Sequence, residues 1–193
     1  MGIKHLLILL CCFSVKYMVA QSWSIGGGAV YGDDIDNVGL HFRGYYNLPN
    51  NKVCFGPEYS NFFEKTASNN GVAITKALSE INLNLHYILE ISEDWGVYPL
   101  TGFNISFEKE KIDLTGETHK KSEMGLNLGT GLHRQFGNIM VFLEYDYLIS
   151  ELSQHSVLLG AFITIRSKTN RKKDLEREND RGEAKIQLRE GNF

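Results

Sequence analysis

Three histidines, a Ser/His neighbour pair and a set of regularly spaced acids are the residues whose types could do chemistry. His41, His86 and His133 each lie on the polar side of an alternating apolar–polar segment, and three imidazoles on one surface are raw material for a metal site. A metal site needs ligands that converge at bonding distance with partners behind them. On alternating segments these histidines are expected to be hydrogen-bonded filler, and no metal is expected. His155-Ser156 sets a base beside a nucleophile, the pair that ester hydrolysis would use. Consecutive strand residues face opposite sides and no acid is placed to orient the imidazole, so no catalytic residue is assigned. Gly26-Gly27-Gly28 has no following helix with which to cradle a phosphate, so it reads as glycine that lets a strand bend and pack closely, and no cofactor is expected. What remains is a structural polar set on the less apolar sides of the segments: Arg43, Glu58, Glu80, Asn84, His86, Glu108, Glu144, Asp146 and Arg166.

The segments that must position these residues repeat with a period of two. One side reads Trp23, Ile25, Gly27, Ala29, Tyr31; the next Val38, Leu40, Phe42, Gly44, Tyr46, Leu48; a third Val53, Phe55, Pro57, Tyr59, Phe63. The fourth runs Ala77, Ser79, Ile81, Leu83, Leu85, Tyr87, Leu89, Ile91, and the fifth Trp95, Val97, Pro99, Thr101, Phe103, Ile105, Phe107. Met124 to Leu132, Ile139 to Ile149 and Val157 to Ile165 continue the pattern. Strand side chains alternate faces, so each series lies on one surface. Eight such segments predict an all-β, eight-stranded, antiparallel up-and-down transmembrane barrel.

Alternation alone does not say which surface faces out. A secreted lipocalin-like barrel binding a small apolar ligand would turn the apolar side inward, and it is the alternative. Three features favour the reverse. No apolar series carries a charge in its middle, where Arg or Lys facing lipid would cost about 2–4 kcal/mol. Aromatic residues collect at the ends: Trp23, Tyr46, Phe55, Trp95 and Phe136 at one rim, and Tyr31, Tyr59, Phe63, Phe107, Tyr145 and Tyr147 near the other. The connections alternate between tight turns (47–52, 92–94, 137–138) and long charged loops expected at 65–76 and 109–122.

These residues resemble the small outer-membrane β-barrels of Gram-negative bacteria, the OmpX/OmpA-barrel type with its outer membrane protein beta-barrel domain. Gly160-Ala161-Phe162-Ile163-Thr164-Ile165 is similar to the signal that the barrel-insertion machinery reads in a final strand; Leu158 is apolar where that signal is usually polar. The resemblance implies an outer-membrane protein, dependent on that machinery and surrounded by outer-membrane lipid. A non-enzymatic role in envelope integrity or surface contact, the contact through 65–76 and 109–122, is expected of a monomer.

Turn geometry sets the inner partners. If Pro49 to Lys52 form a turn, Arg43 faces Glu58; if Gly137-Asn138 is a two-residue turn, Gly131 faces Glu144 and Gly129 faces Asp146. Glycine opposite an acid makes room for Arg43 or Arg166 to cross the lumen, and a buried carboxylate without a partner is costly. An interior only wide enough for its own side chains is expected to be a polar and ionic plug, with Cys54 a small filler.

Outside the barrel span 21–166 the chain changes character. Lys4, an apolar stretch from Leu6 to Val15 and Ala20 read as a signal peptide over 1–20. Residues 21–166 hold ten Lys/Arg against seventeen Asp/Glu, whereas 167–193 hold eight against six. Nothing here is basic enough for nucleic acid. The last stretch has no apolar periodicity and reads as a charged periplasmic tail, disordered or a short helix.

Overall fold

A computed structural model describes residues 22–48, 52–69 and 72–166. The expected signal peptide, the expected tail and part of the turn after Leu48 lie outside the described residues. Ten strand segments follow one another: β1 Ser22–Gly32, β2 Asn37–Asn47, β3 Val53–Phe62, β4 Lys65–Asn69 and β5 Val72–Tyr87. They continue as β6 Leu89–Glu90, β7 Trp95–Ile112, β8 Thr118–Phe136, β9 Ile139–Ile149 and β10 Gln154–Arg166.

Ten segments make eight staves. β6 prolongs β5 past a break at Ile88, since His86 pairs with Leu100 and Leu89 with Val97 in one unbroken register. β4 prolongs β3 along the same edge of β5, but with a slip: Asn61 pairs with Ser79 and Lys65 with Lys76, so three residues oppose two. That extra residue is a β-bulge, which bends the strand outward. The antiparallel order β5-β3-β2-β1-β10-β9-β8-β7 returns to its start through the β5–β7 pairing, and the barrel closes. Closure leaves no unpaired edge within the wall.

The two turn-dependent registers hold. Arg43 pairs with Glu58, and the Leu48 amide donates to the Val53 carbonyl at 2.9 Å. Gly129 pairs with Asp146 and Gly131 with Glu144 across the Gly137-Asn138 turn, where Gly137 takes the left-handed φ of 60°.

The long charged loops are a correction. Most of 65–76 is a hairpin of β4 against the start of β5, and most of 109–122 is the upper half of the β7–β8 hairpin. β7 has 18 residues and β8 has 19, where a tilted strand needs roughly 9–11 to cross a bilayer. The surplus rises as a sheet of β4, β5, β7 and β8 beyond one rim. Its inner backbone groups pair with neighbouring strands, while the outer edges of β4 and of 118–125 in β8 have no ladder partner among the described residues.

The wall is apolar outside. Leu83 is 53% exposed, Phe103 65%, Leu128 48% and Val141 40%, while Glu80 and Asn84 are 6% and 1% exposed. A lipocalin-like arrangement would reverse these values, so the ligand-binding alternative is not what this barrel offers.

Candidate functional site

The lumen is where the barrel gathers its charges. Arg43 on β2 projects inward and reaches across to β9, where its two terminal nitrogens donate to the two oxygens of Glu144 at 2.9 and 2.7 Å. The same Nη2 lies 2.9 Å from Glu58 on the neighbouring strand. A planar fork meeting a carboxylate with two parallel bonds is the strongest form of such a contact, and only Arg can make it. Arg43 crosses the lumen toward Glu144, as the opposing glycines suggested. The Arg166 side chain lies outside the described residues.

Around this fork the acids accept further bonds. Tyr45 and Asn84 donate to Glu58 Oε1, the amide at 2.8 Å, and the Tyr98 hydroxyl donates to Glu144 Oε2 at 2.8 Å. The Tyr45 hydroxyl also lies 2.8 Å from His86 Nε2. His86 stacks on Tyr98 at 4.8 Å and 7°, and His133 stacks on the same ring at 5.8 Å and 27°. Tyr98 fills the space that Gly131 leaves, because its ring stands where a Cβ would be. Arg43, Glu58, Asn84, His86 and Glu144 therefore form one network.

The other expected members lie around it: Asp146 is hydrogen-bonded to Glu144, and Asn127 donates to Asn84 at 3.1 Å as well as to Asn82, which ties the amide layer beside Glu80 to the network. Glu80 accepts from Gln154 Nε2 at 2.5 Å in a separate layer, next to a ladder of amides in which Asn104 donates to Asn82 at 2.6 Å and Asn127 to Asn82 at 2.9 Å. Asp146 reaches over Gly129, and its Oδ1 has no hydrogen-bond partner among the described residues. Glu108 lies in the protruding sheet, 3.5 Å from Lys76. Tyr45, Asn82 and Asn127 stand on the inward side that period two assigns them, whereas Tyr98 and Gln154 are contacts that spacing arguments did not single out. Tyr98 shares parity with Gly102 and Asn104, which was the available signal.

The interior is also less purely polar than expected. Phe142 and Phe162 are buried, 4.9 Å apart, and the Arg43 guanidinium lies 4.6 Å from the Phe142 ring. With Tyr45, Cys54 and Met140 they form an apolar layer at one end; Val30, Phe62, Leu78 and Leu158 line the lumen toward the other. Leu158, apolar where a polar residue was expected, is one of these inward residues. Two cavities in the lumen have about 10 and 30 Å³, of the order of a water molecule's room.

His41 packs on Phe142 at 5.6 Å, away from the His86–Tyr98–His133 stack, and among the described residues no three His, Cys, Asp or Glu side chains could hold a metal. His155 is exposed on the outer wall, its Nδ1 2.6 Å from the Tyr145 hydroxyl and its ring stacked on Tyr147 at 4.6 Å. Ser156 points into the lumen and is buried. The two face opposite sides, as alternation requires.

Both rims carry rings. Trp23, Tyr46 and Phe55 touch in succession at 5.1 and 5.4 Å, and Arg134 sits between Trp95 and Phe136 at 5.2 and 4.8 Å. At the opposite rim the Tyr145, Tyr147 and His155 rings form the matching group.

An apolar belt between two aromatic rims, a lumen lined by a charged network and a protruding sheet define the class: the closed, eight-stranded antiparallel barrel of the outer-membrane type. Comparison with solved structures agrees. Ail, the attachment invasion locus protein of Yersinia pestis, has 18% identity and a TM-score of 0.55 over 75% of this chain and 97% of its own. The N-terminal β-barrel domain of Pseudomonas aeruginosa OprF gives 13% identity and a TM-score of 0.57 over 76% and 98%. A major outer membrane protein of Thermus thermophilus gives 14% and 0.54 over 76% and 100%. At these identities the likeness is one of fold. No protein-family model matches the sequence, and neither does any curated protein.

Proposed function

We propose that this chain is an integral outer-membrane barrel whose interior is plugged by its own side chains, and that its role is structural or interactive instead of catalytic. The observation that carries the reading is the inside-out distribution of Leu83, Phe103, Leu128 and Val141 against Glu80 and Asn84. In water such a belt would be an aggregation surface far larger than a soluble monomer carries. In hydrocarbon it is the required solvent-facing surface.

In this reading residues 1–20 direct export, the rim of Trp23, Trp95 and Phe136 faces the periplasm together with the tail 167–193, and the sheet of β4, β5, β7 and β8 stands outside the cell. Insertion depends on the envelope's barrel-insertion machinery, and the inserted barrel is a monomer in lipid. The protruding sheet offers backbone and charge to a surface partner. Arg43, Glu58, Asn84, His86 and Glu144 hold the wall together from within, while Glu80, Glu108, Asp146 and Arg166 belong to the same structural interior and its outer margin.

Washing membranes with alkaline carbonate tests the reading. The chain is expected to stay in the pellet and to migrate faster on a gel when unboiled. Release into the wash together with unchanged migration on boiling would overturn it.

A further inference from the structure

The protruding sheet carries its lysines on two faces, and they are neutralised differently. On the side that continues the lumen, Lys76 Nζ lies 2.6 Å from Glu110, and Lys121 Nζ lies 3.3 Å from Glu123 and 3.1 Å from Glu151. The side that continues the lipid belt reads Phe103, Ile105, Phe107, Lys109, Lys111 up β7 and Lys120, Ser122, Met124 down β8, with no acid among them. Lys111 is 4.0 Å from Asp113. Lys109 and Lys120 are exposed, stand directly opposite each other in the β7–β8 ladder, and enter none of the ion pairs among the described residues.

Like charges directly opposed across a ladder repel. The repulsion is relieved when an anion sits between them. Next to this pair lies a groove of about 340 Å³, floored by the small residues Ala77, Ser79 and Ser122 and walled by Phe107, Lys109 and Lys120, with Glu108 and Lys121 also in its lining; that one acid already lies 3.5 Å from Lys76. Ala77 pairs with Lys109 and Ser79 with Phe107, so the floor is low where the two walls are tall. One pleat further down the same face come Ile81, Ile105 and Met124, the top of the apolar belt. The groove thus spans the height at which hydrocarbon gives way to charge.

We propose that this groove binds the phosphorylated head group of a membrane lipid, its phosphate between Lys109 and Lys120 and its acyl chains descending over Ile81 and Met124. Lysine serves phosphate as a point charge, and two ammonium groups facing one another suit an anion better than a zwitterion. Continuity with the belt, not charge alone, selects a lipid over a soluble anion. The assignment rests on the membrane reading above and adds a ligand to it.

The test uses the folded barrel in a maltoside detergent, with native mass spectrometry counting bound phosphatidylglycerol. Boiling-dependent gel migration reports separately whether each sample is folded, and the carbonate wash reports separately on the membrane reading. Lys109→Gln/Lys120→Gln is expected to weaken binding about tenfold or more, as the loss of two surface cations near an anionic head group predicts. Lys109→Arg/Lys120→Arg and the Lys76→Gln variant are expected to stay within about twofold, since the first keeps both charges and the second removes a lysine already paired. A folded double Gln variant that binds as the unmodified chain does would overturn the proposal. So would equal binding of uncharged diacylglycerol, and displacement by glycerol phosphate at the lipid's own affinity would mark a soluble-anion site in its place.

Discussion

A guanidinium enclosed by a closed wall and held by two carboxylates is stable only as a set. Arg43 gives Glu144 two bonds at 2.9 and 2.7 Å and lies 2.9 Å from Glu58, and all three side chains are at most 1% exposed. Removing one partner leaves an uncompensated buried charge, which costs about 3–5 kcal/mol, whereas replacing the whole set by apolar or neutral groups is often neutral. Arg43→Met is expected to lower stability by about that amount in urea unfolding from lipid vesicles, followed by Trp fluorescence. Combining it with Glu58→Gln and Glu144→Gln is expected to recover most of the loss. Arg43→Lys is expected to fall between, because an ammonium cannot make the two parallel hydrogen bonds to Glu144. Gly131 tests the same centre sterically. Tyr98 occupies the place of its Cβ, so Gly131→Val would push the ring off Glu144 at a cost of about 1–3 kcal/mol. The Gly131–Glu144 pair was legible because a two-residue turn at Gly137-Asn138 fixes every pair above it, and Arg43–Glu58 because the turn after Leu48 fixes the β2–β3 register. Tyr98 was not, since a pairing register says which residue stands opposite but not how far a ring leans across the lumen.

At the scale of the strands, period two identified eight segments because each stave has one face in an apolar medium. That cause ends at the rim. Above it Lys109, Lys111, His119 and Lys121 are wet on both sides, no alternation is demanded, and a hairpin reads there as a charged loop. The β4–β5 hairpin is similar, although its sequence contains Asn70-Gly71, a strong hairpin dipeptide. β4 is further tied to the β1–β2 turn: Lys65 donates to the Asp36 carbonyl at 2.6 Å and to its carboxylate, while Asp36 itself holds a left-handed φ of 46°. Donation from Lys65, then from the Tyr31 hydroxyl, holds the Asp36 carboxyl below its ordinary value of 3.8. A folded value below the unfolded one means that the contact contributes fully above 3.8 and is lost as pH falls through the lowered value. Amide exchange in Lys65–Asn69, corrected for the intrinsic rate, is expected to rise on acidification through that range, and Lys65→Met is expected to abolish the dependence. Asp36→Gly is expected to relieve the backbone while losing the tie.

For the molecule as a whole, the question is whether anything passes through it. Eight strands enclose a space that side chains can fill, and here the filling is a layer of Phe142, Phe162 and Tyr45 beneath the Arg43 fork, with the Asn82, Asn104 and Asn127 amides beyond. Arg43 belongs to both layers: it binds the acids and lies 4.6 Å from the Phe142 ring, which rests 4.9 Å from Phe162. In the proposed plugged interior a few large side chains brace one another, and Glu58, Glu80, Glu144 and Asp146 are the buried carboxyl groups beside them. In planar bilayers the unmodified barrel is expected to show no steady conductance. Arg43→Ala with Phe142→Ala and Phe162→Ala removes the brace and both rings without touching the wall, so ion passage is expected, with cations favoured because the acids remain. Reversal-potential measurements across a salt gradient read that preference directly. Anion preference in the opened barrel, or conductance in the unmodified one, would contradict this account of the lumen. If the triple variant is silent yet still shifts on boiling, the amide layer of Asn82, Asn104 and Asn127 is the tighter barrier, and substitution of Asn127 is then the change that opens the path.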